Sequence, residues 1–314
     1  MSASERPTVT VMVLNYQRKA LLHRTLESAL RQAYPALEIL VVDNASTDGS
    51  DRMIAETFPE VRLLRLPENI GCAARNHGVA SAMGDIVVTI DNDVLLSTSY
   101  DVHTVVNRFA KCPSVACINF KILNAEGHLS VRDWCHPRDW QQFADESFLT
   151  DYILEGASAF RREAFEQVGG YWEPFFIGHE GHDLALRMLN AGYDLLYSPD
   201  ICVTHLVAAE ARPSSRIYYK FTRNSIWLPL RNHRPFAAAC AMAKYLGLMA
   251  FSSARSGHWR SYVHGLWDGL IGIPRAVASR CPLSVATYRR LHHIRSFEPS
   301  LIEKVKRHWL GRTI

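Results

Sequence analysis

The sequence lacks the features that would place the chain across a membrane, outside the cell or in a disulfide-stapled scaffold. Its apolar segment Phe236–Phe251 has 16 residues and contains one lysine, whereas a spanning helix needs about 20 apolar residues. The seven cysteines form no C-x-x-C pair, which favours reduced, mostly buried thiols. The polar start of the chain, residues 1–7, has no apolar signal-peptide core. We therefore expect a cytoplasmic protein.

Signatures of several nucleotide and metal sites are also missing. The sequence contains no G-x-G-x-x-G and no G-x-x-x-x-G-K-[ST], so a dinucleotide-binding fold and a P-loop are poorly supported. His179 and His182 lie too close together for the zinc motif H-E-x-x-H. Zinc catalysis is therefore not expected.

The composition is that of a folded protein with an uneven charge distribution. Its 314 residues are 48% hydrophobic and 21% charged, which excludes a disordered or collagenous chain. Residues 1–205 carry 17 Lys/Arg against 27 Asp/Glu, and residues 206–314 carry 18 against 4. We interpret this split as an acidic domain over residues 1–206, which can hold metal ions, and a basic region over residues 207–314, which can contact phosphates.

The first half of the chain alternates apolar runs of strand length with helical patterns. Val9–Leu14 and Glu38–Val42 are typical of buried strands, and Arg18–Gln32 between them has helical spacing. This repetition predicts an α/β fold with a mainly parallel, twisted sheet covered by helices on both faces. Farther along, His128–Trp134 is interpreted as a strand, and Pro199 as the end of another.

Polar residues follow the predicted strands at their carboxyl ends, where parallel sheets bind ligands. They are Asn15, Asp43 and the triplet Asp91-Asn92-Asp93. Strand alternation sends Asp91 and Asp93 to the same side, where Mg²⁺ or Mn²⁺ can lie between the carboxylates and bridge to a diphosphate. An ordinary turn would also explain this D-x-D sequence. The Asp43 carboxylate can accept a hydrogen bond from a nucleobase.

Two further segments place candidate side chains near the starts of helices. Asn69 precedes a helix in which Arg75 can pair with phosphate. Asp183 lies near the start of another helix, where the helix dipole favours a carboxylate, and Glu180 comes three residues earlier. A carboxylate in a partly closed pocket can act as a general base. Helix capping is the alternative explanation, and it applies more strongly to Asp183 than to Glu180.

Taken in order, these motifs resemble a known family. The matching segments are VTVMVLNY, VVDNASTDGS, NIGCAARN, GDIVVTIDND, GGYWEPFFIGHEGHDLALR and AGYDLLYSPDICVTH. Together they are similar to a family 2 glycosyltransferase of bacterial surface-glycan or rhamnosyltransferase type, over about residues 7–206. The resemblance implies a GT-A, Rossmann-like catalytic domain that binds a nucleotide sugar, followed by the basic helical C-terminal region.

The resemblance also implies a role for each matching residue. The nucleotide-sugar donor would be bound by Leu14, Asn15, Tyr16, Asp43, Asn69, Arg75, Asp91, Asn92 and Asp93. Asp43 would contact the base, and Asp93 with His205 would hold Mg²⁺ or Mn²⁺ on the donor diphosphate. In-line attack of an acceptor hydroxyl on the anomeric carbon implies inversion.

One departure from the family concerns the catalytic base. The family usually has Glu-Asp where this chain has Glu180-Gly181, and that Asp is commonly the base. Many relatives have G-x-E-x-x-D-L, which residues 178–184 match. The resemblance therefore indicates Glu180 as the catalytic base and Asp183 as a neighbour that positions the acceptor or the loop. The segment Glu155–Ser158 resembles the acceptor side of the family site.

The favoured function is metal-dependent, inverting transfer of a sugar to a hydroxyl of a glycan or lipid-linked acceptor. The alternatives are a catalytically impaired binding or scaffold protein, suggested by Gly181, and a nucleotidyltransferase. Apolar segments beside basic clusters in residues 207–314 are typical of an interfacial anchor, so we expect peripheral contact with the anionic inner face of the cell membrane. A solvated helical subdomain is the other interpretation. Nucleic-acid binding is not expected, because the basic region has no organised aromatic pattern.

Overall fold

The computed structural model describes residues 6–206 and 214–299. The part of the predicted basic region that falls on residues 207–213 and 300–314 lies outside the described residues. In the described part, nine strands form one sheet. They are β1 (Val9–Asn15), β2 (Leu37–Asp43), β3 (Arg62–Arg65), β4 (Ile86–Asp91), β5 (Val94–Leu96), β6 (Val115–Leu123), β7 (Phe148–Leu149), β8 (Ala157–Arg161) and β9 (Asp194–His205).

The helices follow the strands on both faces of this sheet. In chain order they are α1 (Lys19–Leu30), α2 (Ser50–Thr57), α3 (Ala74–Ser81), α4 (Asp101–Lys111), α5 (Trp140–Phe143), α6 (Arg162–Gln167), α7 (Glu180–Asn190), α8 (Ser214–Asn232), α9 (Pro235–Arg255), α10 (Trp259–Ile271), α11 (Ile273–Ala278) and α12 (Val285–Ile294). The predicted α/β class with a C-terminal helical region is confirmed.

The strand order is β3-β2-β1-β4-β8-β6-β9-β5, with β7 paired to β9. The first four strands in this order are parallel, and so are β6 and β9. β8 is antiparallel to both β4 and β6, and β5 and β7 are antiparallel to β9. The sheet is therefore mixed, with its parallel half formed by the N-terminal strands.

The central strands are buried on both faces, which explains their continuous apolar sequence. In β1, Val11 packs into one core together with Leu22 and Leu26 of α1. The next residue, Met12, packs into the opposite core with Leu184 of α7. The two cores fix the sheet between its helical layers, so the carboxyl ends of the strands are held at a defined edge.

The chain reverses its direction of travel across the sheet after β3. It runs outward from β1 through β2 to β3 and then returns to β4, on the other side of β1. In α/β sheets such a reversal leaves a crevice outside the carboxyl ends of the two flanking strands. Leu14 of β1 pairs there with Asp91 of β4, and Asn15 pairs with Asp43 of β2. The topology therefore brings the predicted strand-end residues to one edge.

Two expectations about single elements were wrong. His128–Trp134 is not a strand: Leu129 makes an isolated bridge to Leu123, and a 3₁₀ turn over Val131–Asp133 follows. The Ser130 hydroxyl donates to the Asp133 carboxylate at 2.7 Å, which favours this local turn over strand pairing. Pro199 does not end β9 either, because a register shift opposite β6 lets the strand continue past the proline.

The C-terminal helices pack on the face of the sheet that carries α7. Ile226 and Leu228 of α8, and Leu291 of α12, belong to the same buried cluster as Leu184 of α7. Trp227 of α8 donates its indole N–H to the carbonyl of Gly269 in α10 at 2.9 Å. The basic region thus shares a core with the acidic one, and the division at residue 206 stays a prediction.

Candidate active site

A cavity of about 390 Å³ lies at the carboxyl ends of β1 and β4. The predicted site residues that line it are Leu14, Tyr16, Asn69, Arg75, Asp91, Asn92 and Glu180. The predicted residues Asn15, Asp43, Asp93, Asp183 and His205 are not among its lining residues. The structure therefore brings most of the predicted donor-binding residues and Glu180 around one space, and it places the other five outside the lining.

Asn15 and Asp43 form a buried polar network beside this cavity. The Asn15 side-chain amide donates to Asp43 Oδ1 at 2.8 Å, and it accepts from the Asn92 amide at 2.7 Å. Asp43 Oδ2 also accepts the backbone N–H of Ser46 at 3.1 Å. Asp43 is fully buried, and these hydrogen bonds satisfy its two oxygens. It is therefore joined to the cavity through Asn15 and Asn92.

Arg75 and Asp91 form an ion pair on the wall of the cavity. Arg75 reaches Asp91 Oδ1 at 2.5 Å, and its remaining contacts are the Cys72 sulfur and the Thr89 hydroxyl, both at 3.3 Å. Although burial disfavours the guanidinium, the nearby acidic groups dominate, and the pKa of Arg75 lies above its ordinary value. Arg75 is therefore positively charged, and Asp91 is the acidic residue with which it forms an ion pair.

Asn69 acts on the turn before α3. Its side-chain oxygen accepts from the backbone N–H of Gly71 at 2.9 Å and from the Asn44 amide at 3.0 Å. Asn44 in turn accepts the backbone N–H of Ile70 at 3.0 Å. These bonds join the loop after β2 to the loop before α3, and both loops contribute to the wall of the cavity.

Glu180 is the first residue of α7, and it lies beside a second carboxyl group, Glu155. Glu180 is 6% exposed, and its Oε2 has no hydrogen-bond partner. Burial, followed by the proximity of Glu155, raises the pKa of Glu180 from 4.5 to about 8. A buried carboxyl with an unpartnered oxygen and a pKa near neutrality is suited to accept a proton.

The predicted metal ligands lie at the junction of β4, β5 and β9. Asp93 Oδ1 is 3.7 Å from His205 Nε2, and His205 Nδ1 is 2.8 Å from Asp133 Oδ2. The other oxygen of Asp93, Oδ2, is bonded to the Arg18 guanidinium. Hydrogen bonds to Asp133 and Asp93 raise the pKa of His205 to about 10, so a metal that binds this imidazole must displace a proton.

These residues fit a divalent cation that completes its coordination with oxygens from a ligand. A carboxylate and an imidazole face each other, and Asp133 holds the second imidazole nitrogen as outer carboxylates do in metal sites. Among the described residues there is no group of three or more His, Cys, Asp or Glu side chains arranged to hold a metal ion. Two protein ligands plus substrate phosphates are a usual arrangement for Mg²⁺.

Asp183 occupies a different environment from Glu180. It is fully buried, and its carboxylate accepts from Arg187, Arg231 and Asn232 at 2.7 to 2.9 Å. Burial alone would raise its pKa, but the two arginines outweigh burial, and the pKa lies below its usual value. The Asp183 network joins α7 to α8 on the side away from the cavity lining.

Several residues that line the cavity could not be predicted from the sequence. Arg216 and Ile217 come from α8, far along the chain, and Phe176 comes from the loop before α7. The side chains of Arg216 and Lys220 lie over the Phe176 ring, at 4.8 and 5.0 Å from its centroid. The excess of acidic residues in the first half of the chain predicted carboxylates in the site. The contribution of the basic region is seen only in the packing of α8.

A cavity at the reversal point of an α/β sheet, lined by carboxylates, asparagines and a buried arginine, places the chain among the α/β proteins that bind ligands at this edge of the sheet. The model of the family described as "Glycosyl transferase family 2" matches residues 10–169. The chain belongs to this family.

The chain is similar to curated glycosyltransferases. It is 25% identical over 191 residues to the chondroitin synthase of Pasteurella multocida, covering 59% of this chain and 19% of that protein. It is 24% identical over 230 residues to an N-acetylglucosaminyl-diphospho-decaprenol L-rhamnosyltransferase of Mycobacterium tuberculosis, covering 62% and 75%. The chain thus spans only about a fifth of the Pasteurella protein.

Its fold is that of GT-A glycosyltransferases. The mannosyltransferase from Pyrobaculum calidifontis in complex with GDP-mannose and Mn²⁺ superimposes with a TM-score of 0.54 at 23% sequence identity. The match covers 88% of this chain and 87% of that one. The predicted fold and family are therefore confirmed, and Mn²⁺ is present in a structural neighbour.

Proposed function

We propose that the protein transfers a sugar, with inversion, from a nucleoside-diphosphate donor to a hydroxyl of a glycan or lipid-linked acceptor. The donor occupies the cavity at the ends of β1 and β4. Leu14 and Tyr16 supply the surface for the nucleobase. Asp43 sets the position of this wall through its hydrogen bond with Asn15. Asn15 also accepts from the amide of Asn92, the residue that follows Asp91 in the chain. Asn69 fixes the loop that closes this end.

The observation that carries the proposal is the placement of Glu180. It is a buried carboxyl at the start of α7, on the wall of the same cavity as Asp91 and Arg75, with one oxygen unpartnered. In the transfer, the acceptor oxygen bonds to the anomeric carbon while the bond from that carbon to the diphosphate oxygen breaks. The acceptor proton passes to Glu180, and the electron pair leaves with the nucleoside diphosphate. A single displacement of this kind inverts the anomeric centre.

Asp93 and His205 would hold Mg²⁺ or Mn²⁺ in this proposal. A bound divalent cation neutralises the charge that builds on the leaving diphosphate. The chain's own part is to present one Asp93 oxygen and the His205 imidazole to the cation, with Asp133 orienting the imidazole. Arg75 retains a positive charge at every working pH and adds to the field around the diphosphate.

The experiment is a panel of nucleotide sugars with Mn²⁺, in which release of the nucleoside diphosphate is measured. The panel contains UDP-N-acetylglucosamine, GDP-mannose and a deoxythymidine-diphosphate deoxyhexose. We expect release from at least one donor, a decrease of about 10² to 10⁴-fold in E180Q, and no effect in the control E173Q, which changes an exposed glutamate. Absence of release from every donor would favour the catalytically impaired binding protein instead.

The acceptor and the C-terminal helices are linked in this proposal, because a lipid-linked acceptor resides at a membrane surface. α9 has 21 residues, so it is longer than the 16-residue apolar segment that the sequence indicated, and contrary to that expectation it is long and apolar enough to cross a membrane by length and composition. Only 11% of its 18-residue window is buried. Large apolar side chains of α9 and α10 are exposed to solvent. They are Phe236, Leu248, Phe251, Trp259, Val263, Trp267, Leu270 and Ile271.

Exposed cations occur on the same helices, at Lys244, Arg255 and Arg260. Exposed tryptophan and aliphatic side chains together with lysine and arginine are the composition of a helix pair that lies on an anionic lipid surface. We therefore propose that α9 and α10 rest on the inner face of the cell membrane and bring the cavity to a lipid-linked acceptor.

Co-sedimentation with vesicles tests this surface. We expect the protein to bind vesicles with equal parts phosphatidylglycerol and phosphatidylcholine, and to bind pure phosphatidylcholine more weakly. The variant F251S/W267S should lose binding, whereas M83S, which removes an exposed apolar side chain far from α9 and α10 in the chain, should not. Equal sedimentation of both variants would contradict contact through these helices.

A further inference from the structure

The cavity contains a second, half-buried carboxyl group that the proposed transfer does not use. Glu155 lies in the loop before β8, and it lines the cavity together with Glu180, Asp91 and Arg75. Its backbone carbonyl accepts the hydroxyl of Thr89 on the central strand β4. Glu155 is thus anchored to the sheet, on a different segment of the chain from Glu180, and it reaches the same space.

The Glu155 side chain fills the position next to Glu180 on α7. Its Oε1 accepts the backbone N–H of Gly181 at 2.6 Å. A Cβ atom on residue 181 would stand 2.2 Å from that oxygen and 2.3 Å from the carbonyl oxygen of Ile153. No side chain fits at residue 181 while Glu155 has this conformation. The carboxyl group beside Glu180 is therefore supplied by Glu155 and cannot be supplied by residue 181.

The charges around the two carboxyl groups favour a shared proton. Arg75 is the cation that faces both of them, and Asp91 is the further anion that faces Glu155. Burial raises the pKa of Glu155, and burial together with Glu155 raises that of Glu180. The other titratable groups that interact with the pair have raised pKa values and are neutral near pH 7. They are Cys72, Cys117, Cys135, Tyr152 and Tyr171.

We propose that Glu155 and Glu180 work as a carboxyl pair that holds one proton before the reaction, with Glu155 as the positioning residue that makes Glu180 basic enough to take the acceptor proton. The inference rests on the proposed function, since it assigns a partner to its base. Two close carboxyl groups resist losing both protons. The singly protonated pair accepts the acceptor proton as the new glycosidic bond forms, and it returns a proton to water after the nucleoside diphosphate has left.

The first test needs no donor or acceptor. Protein labelled with ¹³C at the glutamate carboxyl carbon is titrated by NMR from pH 4 to pH 10, with E155Q and E180Q used to assign the two signals. We expect Glu180 in E155Q to titrate at least one pH unit lower than in the unaltered protein. E155Q keeps an oxygen that can accept the Gly181 N–H, so a purely structural role for Glu155 would leave the Glu180 titration unmoved, and that result would overturn the proposal.

The second test follows the pH dependence of turnover. With the nucleotide-sugar panel and Mn²⁺, release of nucleoside diphosphate is measured from pH 5 to pH 9 in the unaltered protein and in E155Q, with E173Q, at an exposed position, as the control. We expect the pH at which release reaches half of its maximum to fall by about one unit in E155Q and to stay in place in E173Q. An unmoved pH profile in E155Q would contradict the pairing. If the unaltered protein turns over no donor, the proposed function fails. The NMR titration still shows whether Glu155 and Glu180 titrate as a pair.

Discussion

The Arg18 guanidinium is bonded to one oxygen of Asp93, while the other oxygen of Asp93 lies 3.7 Å from His205. Arg18 is the residue just before α1, and it has a left-handed backbone conformation, φ 64°. The carboxylate of Asp93, which is predicted to bind a metal, is therefore paired with the positively charged side chain of Arg18. A metal ion and Arg18 compete for Asp93.

Replacing Arg18 by methionine is expected to tighten the binding of Mn²⁺. An opposite charge at ion-pair distance is worth about 1 to 4 kcal/mol across the range from water to a protein surface, so we expect at least about a fivefold gain in affinity. Electron paramagnetic resonance of free Mn²⁺ during titration measures it. K19M, at the neighbouring exposed lysine, serves as the control, and D93N/R18M should bind weakly. Unchanged affinity in R18M would argue against Asp93 as a ligand.

The raised pKa of Glu180 carries a prediction about stability. A carboxyl with a pKa of about 8 in the folded protein and about 4.3 in the unfolded chain keeps its proton only in the folded state between those values. Folding stability therefore falls as the pH rises from about 4 to about 8. E180Q has no proton to lose, so we expect it to be more stable than the unaltered protein at pH 8, by an amount on the order of a few kcal/mol.

Thermal unfolding at pH 5, 6.5 and 8 measures this difference. The gain in Tm of E180Q over the unaltered protein should be smallest at pH 5 and largest at pH 8. E173Q, at an exposed position, should follow the unaltered protein throughout. Parallel pH profiles for E180Q and the unaltered protein would show that Glu180 titrates normally, and it would then be a weaker candidate for the catalytic base.

The sequence was sufficient for the parallel half of the sheet and for its strand-end residues. Buried strands with non-alternating apolar residues give a strong local pattern, and the polar residue after each strand marks its carboxyl end. For this reason Asp91, Asn92 and Arg75 could be predicted in one site. Local patterns carried less information about residues 124–134, where Ser130 and Asp133 form a turn that competes with strand pairing.

What could not be predicted depends on contacts between distant segments. Glu155 meets Gly181 across 26 residues, and Arg216 reaches the cavity from α8. Neither contact follows from periodicity or composition, because each depends on how helices pack on the sheet. The same limit applies to Asp183. Its position near the start of a helix predicted a residue of the site, but its environment depends on Arg231, which is 48 residues away in sequence.

D183N is expected to destabilise the fold strongly. Removal of this charge leaves Arg187 and Arg231 buried without their carboxylate, and breaking a buried pair in this way costs about 3 to 5 kcal/mol. Since the pKa of Asp183 is lowered in the folded protein, its contribution is fully present above the unfolded value of about 3.9, starts to decrease below that value, and is lost as the pH falls through the lower pKa of the folded state. Urea unfolding at pH 7 and pH 3.5 measures both effects. A loss at pH 7 below 1 kcal/mol would contradict the network's role in stability.

Asn224 of α8 gives the last prediction, because it holds the loop that leads into Glu180. Its side-chain amide donates to the carbonyls of Phe175, Ile177 and Gly178 at 2.7 to 3.0 Å. In N224A the Phe175 carbonyl keeps the Arg223 guanidinium at 2.9 Å, but the carbonyls of Ile177 and Gly178 lose this donor, at a cost of about 1 to 3 kcal/mol. The residues before α7 are then held less firmly. We expect a lower Tm and a decrease in donor turnover that exceeds the effect of T222A, two residues earlier on the same helix. Turnover that is unchanged in N224A while Tm falls would show that the loop is held by α7 itself, and α8 would then support the fold without setting the position of Glu180.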